Sequence, residues 1–181
     1  MRYTPLLILF LLFSSCEHKA KVVSKENIRF DTNDATVLFF KNVRRAYYDV
    51  EEKPDVNISI YRFEEWEELK EKPLLRTAII HHWVANRAFV FLETDLLLED
   101  KATFEVHYTN CATGETGTIP YKKGNTILQA GFATDLYEKV QQSCQLYVEL
   151  EGKKHPLFGN QEGNEAFRIT MVDYYRLVQM L

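Results

Sequence analysis

Apolar residues along the chain fall into distinct spacings. Residues 6–13 are an unbroken apolar run with no charge or polar group. Further on, alternation takes over. Val56, Ile58 and Ile60 alternate with Asn57, Ser59 and Tyr61, so residues 56–63 read as a half-buried strand with a period of two. The same period places Phe104, Val106 and Tyr108 on one side of residues 103–109, and Glu105 and His107 on the other. Leu146, Val148 and Leu150 do likewise in residues 145–150. Residues 77–84 and 87–93 are rich in Ile, Val, Phe and Trp and read as strands with Asn86 at the turn between them. Residues 36–40 and 46–50 are shorter candidate strands. Clusters of turn formers sit at 31–34, 51–55, 113–117, 122–125 and 151–154.

One segment departs from this pattern. Residues 64–72 carry acids early and lysines late, an order that suits the helix dipole, and Trp66 and Leu69 share a face three residues apart. Pro73 supplies the stop. A short surface helix over a sheet edge or end is the expectation. Two further segments are ambiguous. Residues 135–142 read as a helix or an irregular excursion. In residues 166–181, Phe167, Ile169 and Met171 alternate and favour a strand to about residue 175 that closes a sheet. Phe167, Met171, Tyr174, Val178 and Leu181 also fit a helical stripe. The fold expected is mainly β: an antiparallel β-sandwich of immunoglobulin or transthyretin type with one short helix. A small barrel is the competitor.

Composition narrows the function classes. Ten Tyr and twelve Phe outnumber seven Gly and five Pro, which suits packed β structure and argues against disorder. A formal net charge of −4 excludes the basic footprint of a nucleic-acid binder. No later apolar run is long and uncharged enough to span a bilayer, and residues 6–13 are too short to do so, since about 20 apolar residues are needed.

Arg2, the apolar run and small residues after it form the pattern of a secretory signal. The segment Leu12, Phe13, Ser14, Ser15, Cys16 resembles the lipobox of bacterial lipoproteins. Phe13 departs from the small or aliphatic residue usual at its position. The resemblance implies that Cys16 receives a diacylglycerol, that cleavage falls before it, and that the new amine is acylated. Each buried CH₂ contributes about 0.8 kcal/mol, and stable anchoring needs more than one chain, a condition a triacylated cysteine meets. Glu17, in place of the aspartate that retains lipoproteins at the inner membrane in some bacteria, points to the outer membrane. An ordinary secretory signal with an incidental cysteine is the alternative. The organisation expected is a signal peptide at 1–15, lipidated Cys16 and a polar tether at 16–27, and a single β domain at 28–181.

Export changes the reading of the other two cysteines. Cys111 and Cys144 sit at strand ends and are a candidate disulfide in an oxidising compartment, stabilising by roughly 3–4 kcal/mol in the chain-entropy model. Two separate buried thiols are the alternative. Neither belongs to a C-x-x-C pair, so no metal is expected. Adjacent His81 and His82 point to opposite faces of a strand and cannot share a metal easily. The serines lack triad context, no glycine loop cradles phosphate, and the acids of residues 64–71 read as a solvated face. No cofactor and no catalysis are expected. Trp66, Tyr174 and Tyr175 are candidate interface residues, since aromatics are enriched at contact hot spots.

Residues 56–63, followed by the short Trp66 and Leu69 helix and further strands, resemble the outer-membrane lipoprotein of type VI secretion systems over about forty residues. That family has a transthyretin-like sandwich and anchors a membrane complex. Gliding-motility lipoproteins are of similar size and class. The function expected is a membrane-anchored structural or adaptor component of an envelope assembly, with the membrane and an envelope protein as partners. A periplasmic or surface module binding a small ligand in an aromatic pocket that includes Trp83 is the alternative, and an enzyme or inhibitor without a readable motif is third. Replacing Cys16→Ala is expected to abolish palmitate incorporation and release the protein to the soluble fraction. Unchanged lipid labelling would remove the lipoprotein reading.

Overall fold

The computed structural model describes Val23, residues 25–69 and residues 71–181. The signal segment expected at 1–15 and the lipidation expected at Cys16 fall outside the described residues. Eight strands form two four-stranded antiparallel sheets. The first comprises β1 (Tyr48–Lys53), β2 (Ile58–Phe63), β3 (Leu75–His82) and β4 (Arg87–Thr94), in the order β1-β2-β3-β4. The second comprises β5 (Thr103–Asn110), β6 (Thr116–Lys122), β7 (Cys144–Leu150) and β8 (Lys153–Pro156), in the order β6-β5-β7-β8. The two sheets pack about one apolar core, a mainly β sandwich. Each sheet draws its strands from one half of the chain, unlike the interleaved strand order of an immunoglobulin domain.

Register explains which residues enter the core. In the first sheet Tyr48 faces Phe63, Tyr61 faces Ile79, and Ile79 faces Val90, so alternate positions of four strands point inward together. The outer face of this sheet carries charge. Arg62 on β2 donates to Glu51 on neighbouring β1 at 2.9 Å and, across β3, to Glu93 on β4 at 2.8 Å, beside the fully buried Ala78. The turns follow local chemistry. Glu151 and Gly152 both have positive φ, 51° and 75°, the two-residue geometry that matches the strand twist of the β7–β8 hairpin.

Helices contribute more than the sequence reading anticipates. Besides α2 (Glu65–Glu68) and α3 (Leu96–Glu99), there are two long helices, α4 (Thr126–Gln141) and α5 (Gln161–Leu177). The single short helix expected is therefore corrected. α4 touches strands of both sheets, and α5 lies on β3 and β4. The expected strand at 166–175 is the middle of α5. Its helical stripe wins because Phe167, Met171, Tyr174 and Tyr175 all become buried at once, at most 1 % exposed. A strand would turn every second residue away from the core. Asn160 starts α5 by accepting from the Gly163 amide at 3.0 Å. A β-carbon at Gly163 would collide with the Phe158 carbonyl, so the helix begins pressed onto that residue.

The strand expected at 36–40 is also helical. Asn33 and Thr36 form a reciprocal capping box, and α1 (Asp34–Phe39) continues through a π-helical stretch at Phe40–Arg44. The turn cluster at 31–34 is thus a helix start. The helix expected at 64–72 is shorter, because Leu69 is already extended. The end of the tether expected at 16–27 is corrected too. Val23 packs on the core and Lys25 pairs with Asp135 at 3.0 Å, so the body begins before residue 28. The chain then covers the free edge of β4: the Phe30 carbonyl accepts from Ala88 at 2.7 Å, and Gln129 on α4 accepts from Leu92 at 3.2 Å.

One buried ion pair ties α5 to the π-helical stretch. The Arg44 guanidinium donates to both Asp173 oxygens at 2.9 and 2.8 Å, and the Tyr48 hydroxyl donates to the same carboxylate at 2.8 Å. Burial, then the Asp173 charge, pushes the Tyr48 hydroxyl far above its ordinary range, so Tyr48 stays a donor. Removing the Asp173 carboxylate leaves the buried Tyr48 hydroxyl and the partly buried Arg44 guanidinium without their partner. Asp173→Ala is expected to cost about 3 kcal/mol or more in urea unfolding, whereas Arg44→Met combined with Asp173→Leu costs less than that single change. A cost below about 1 kcal/mol for Asp173→Ala would show that the pair is not a structural tie.

Candidate ligand-binding cleft

A cleft of about 910 Å³ opens where the second sheet meets the start of α5. Its volume lies within the range of ligand pockets. The floor is apolar and comes from three elements: Leu146 of β7, Val140 of the last turn of α4, and Phe158. Phe158 is held by its stack on Phe167, with ring centroids 4.3 Å apart. One wall is the first half of α5, where Asn160, Asn164 and Arg168 recur at helical spacing along one side of the helix, beside the core stripe. Arg168 is fixed by a two-point pair with Glu165, which lowers the Glu165 carboxyl below its ordinary range.

The other wall is the end of β7. Strand β8 stops at Pro156. The next residue makes one more ladder bond, with the Leu157 amide donating to the Leu146 carbonyl at 2.9 Å. The chain then turns away, because the Leu157 carbonyl accepts from Leu74 and Leu75 at 3.0 and 3.2 Å. These bonds join the second sheet to the start of β3. Beyond that point the edge of β7 at Cys144 and Gln145 faces the cleft. On the outer face, Tyr147 stacks on His107 at 5.3 Å, and the Lys154 ammonium sits 4.4 Å above the Tyr147 ring.

Both downstream cysteines line this cleft, but they are free thiols. The expected disulfide is corrected. Cys144 lies directly opposite Asn110 in register, so Cys144 and Asn110 share a face. Cys111 follows Asn110 into an Asx turn, in which the Asn110 side chain accepts from the Ala112 and Thr113 amides at 2.8 and 3.0 Å. Cys144 is buried and Cys111 exposed. Burial pushes the Cys144 thiol up, with Lys139 opposing it, so this sulfur is held protonated.

The expected interface aromatics are also corrected. Trp66, Tyr174 and Tyr175 are 4, 1 and 0 % exposed and belong to the core. The Tyr174 hydroxyl donates to the Arg29 carbonyl at 3.0 Å, and the Tyr175 hydroxyl to Thr134 at 3.1 Å. Trp83, expected in a pocket, is instead exposed in the β3–β4 turn. The cleft residues Asn160, Asn164 and Arg168 are not among the expected site residues, since the sequence pattern favours a strand from 166 to about 175 in place of this helix. The Asn160 cap signal before a helical stripe was the available clue.

A second polar row lies on the inner face of the first sheet. Glu52 on β1 faces Ser59 on β2, which faces His81 on β3. Acid, serine and histidine stand side by side, yet not in the order of a nucleophilic relay. The Ser59 hydroxyl donates to Glu52 at 2.6 Å, and the buried Nε2 of His81 has no partner. The serine proton is therefore committed to the carboxylate, and this row is not assigned a catalytic role. Among the described residues no group of three His, Cys, Asp or Glu is placed to hold a metal. No family model matches the chain, and neither a curated protein nor a solved structure matches it.

His81 generates a pH dependence. Its burial, reinforced by Lys41 and His82, lowers the imidazole below its ordinary value of 6.5, with Glu52 opposing. The unfolded chain then takes up the proton more readily than the folded one. Stability from this group is complete above the ordinary imidazole range and is lost as pH falls through it and towards the depressed folded value. Chemical unfolding between about pH 7 and pH 5 should show a decline that is shallower in His81→Gln. Equal slopes in the two proteins would remove His81 as the source.

Proposed function

We propose that this protein is a lipid-anchored, non-catalytic envelope component whose domain holds a partner in the cleft between β7 and α5. The observation that carries this reading is the cleft: an apolar floor with polar and charged groups fixed around it by a helix cap, an ion pair and ring stacking. The expected aromatic small-molecule pocket is less well supported, because the cleft wall is largely amide and charged side chains. An envelope assembly such as a secretion or gliding-motility machine is the setting that the lipobox resemblance suggests.

The anchor defines the reach. From Cys16 to Val23 is seven residues of chain, at most about 25 Å when fully extended. Lipid on Cys16 therefore holds the body close to the bilayer surface. Lys25 docks on the C-terminal half of α4, and the same half supplies Val140 to the cleft floor. Among the described residues no helix is long and apolar enough to cross a membrane. Attachment would therefore fall to the lipid.

A photo-reactive residue in place of exposed Gln145 tests the reading in cells. The expected outcome is a discrete cross-link to one envelope protein, lost when Asn164→Trp fills the cleft and reduced when Cys16→Ala releases the anchor. A cross-link from Trp83 and none from Gln145 would move the binding surface to the β3–β4 turn and sink the cleft as the working site.

A further inference from the structure

The cleft presents backbone as well as side chains, and that backbone has a definite polarity. In an antiparallel strand the amide and carbonyl of one residue point to the same side, and successive residues alternate sides. The Leu146 carbonyl accepts from Leu157, so Leu146 points its main-chain groups towards the β8 side. Cys144, two residues earlier, has the same parity. The other side of the ladder agrees: the Asn110 amide, opposite Cys144, donates away from β7 to the Glu115 carbonyl at 2.8 Å. The Cys144 amide, the Cys144 carbonyl and the Leu146 amide are therefore directed at the cleft, and no hydrogen bond satisfies them among the described residues. The open edge is short, bounded at one end by the departing Leu157 and at the other by the α4–β7 turn at Ser143.

We propose that this edge accepts an extended peptide segment of the partner protein as a short added strand, in the line that the chain vacates after Leu157. This deepens the cleft reading and rests on it. Three features favour a peptide over a rigid small molecule. The free donors and acceptor on β7 match the alternating groups of an extended chain. The apolar floor of Leu146, Val140 and Phe158 receives one side chain of such a strand. The facing wall is a helix, so the groove has a strand edge on one side and a helix on the other. Charge selects among peptides. Lys154 and Arg168 line the cleft against one acid, Glu165, and the positive end of the α5 dipole adds to them. The segment preferred carries an acidic residue or ends in a free carboxylate.

A library of displayed random heptapeptides, panned on the full-length chain in detergent and on its Asn164→Trp variant, tests this. Folding of the variant is checked by its amide spectrum. Sequences enriched on the native cleft alone should share an acidic position and lose it when Arg168→Glu is used as bait. As synthetic peptides they should slow exchange of the Cys144 and Leu146 amide protons about tenfold or more, and methylating the peptide's own amides should weaken binding by a similar factor. Peptides that bind without protecting those two amides would overturn strand addition while leaving the cleft as a binding site. So would a failure of any peptide to be enriched while the Gln145 cross-link persists. Loss of both the peptide and the cross-link would remove the cleft reading itself.

Discussion

The structure depends on the burial of one helix. α5 carries Phe167, Met171, Tyr174 and Tyr175 into the core, where they meet β3, β4 and α4. Each fully buried aromatic or methionine side chain contributes about 1.5–3 kcal/mol. No other described segment makes so many large residues inaccessible over so short a length. The first sheet supplies the surface, since Tyr61, Ile79 and Val90 align on its inner face by register. α5 covers that face at β3 and β4.

Polar groups on the same helix make its placement unique. Asp173 is held by Arg44 and Tyr48, Tyr174 by the Arg29 carbonyl and Tyr175 by Thr134. An apolar stripe alone tolerates rotation and sliding along its groove. Buried donors and acceptors do not, because each loses its partner when the helix shifts. The N-terminal segment and α4 are thereby tied to the same helix. The start of α5 is set independently by Gly163 against Phe158 and by the Asn160 cap.

The cleft is a consequence of that placement. With α5 pinned by its buried residues, the side that carries Asn160, Asn164 and Arg168 stands across from the end of β7 and leaves a gap of about 910 Å³. The departure of Leu157 from the sheet, to bond Leu74 and Leu75, both joins the sheets and opens the β7 edge. The contacts that hold the fold together therefore also create the surface assigned to binding. The two thiols take no part in this arrangement: one is buried, the other sits in an exposed turn.

The sequence by itself determined the local features with a strong period or a strong turn. The strands at 58–63, 75–82, 87–94, 103–110 and 144–150 were legible because half-buried strands alternate on contact with one core face. The resemblance of residues 12–16 to a lipobox is likewise a local pattern, read without reference to the fold. Residues 36–40 and 166–175 were not decided locally, since β-branched and aromatic residues suit either state and the choice turned on which state buried more of them together. Tyr174, Tyr175 and Trp66 looked like surface aromatics for the same reason: exposure is a property of what packs opposite. The cleft lay furthest from sequence. It is formed by two segments that approach only after α5 is seated, and its open backbone edge exists because one residue, Leu157, found its carbonyl's partners on the other sheet.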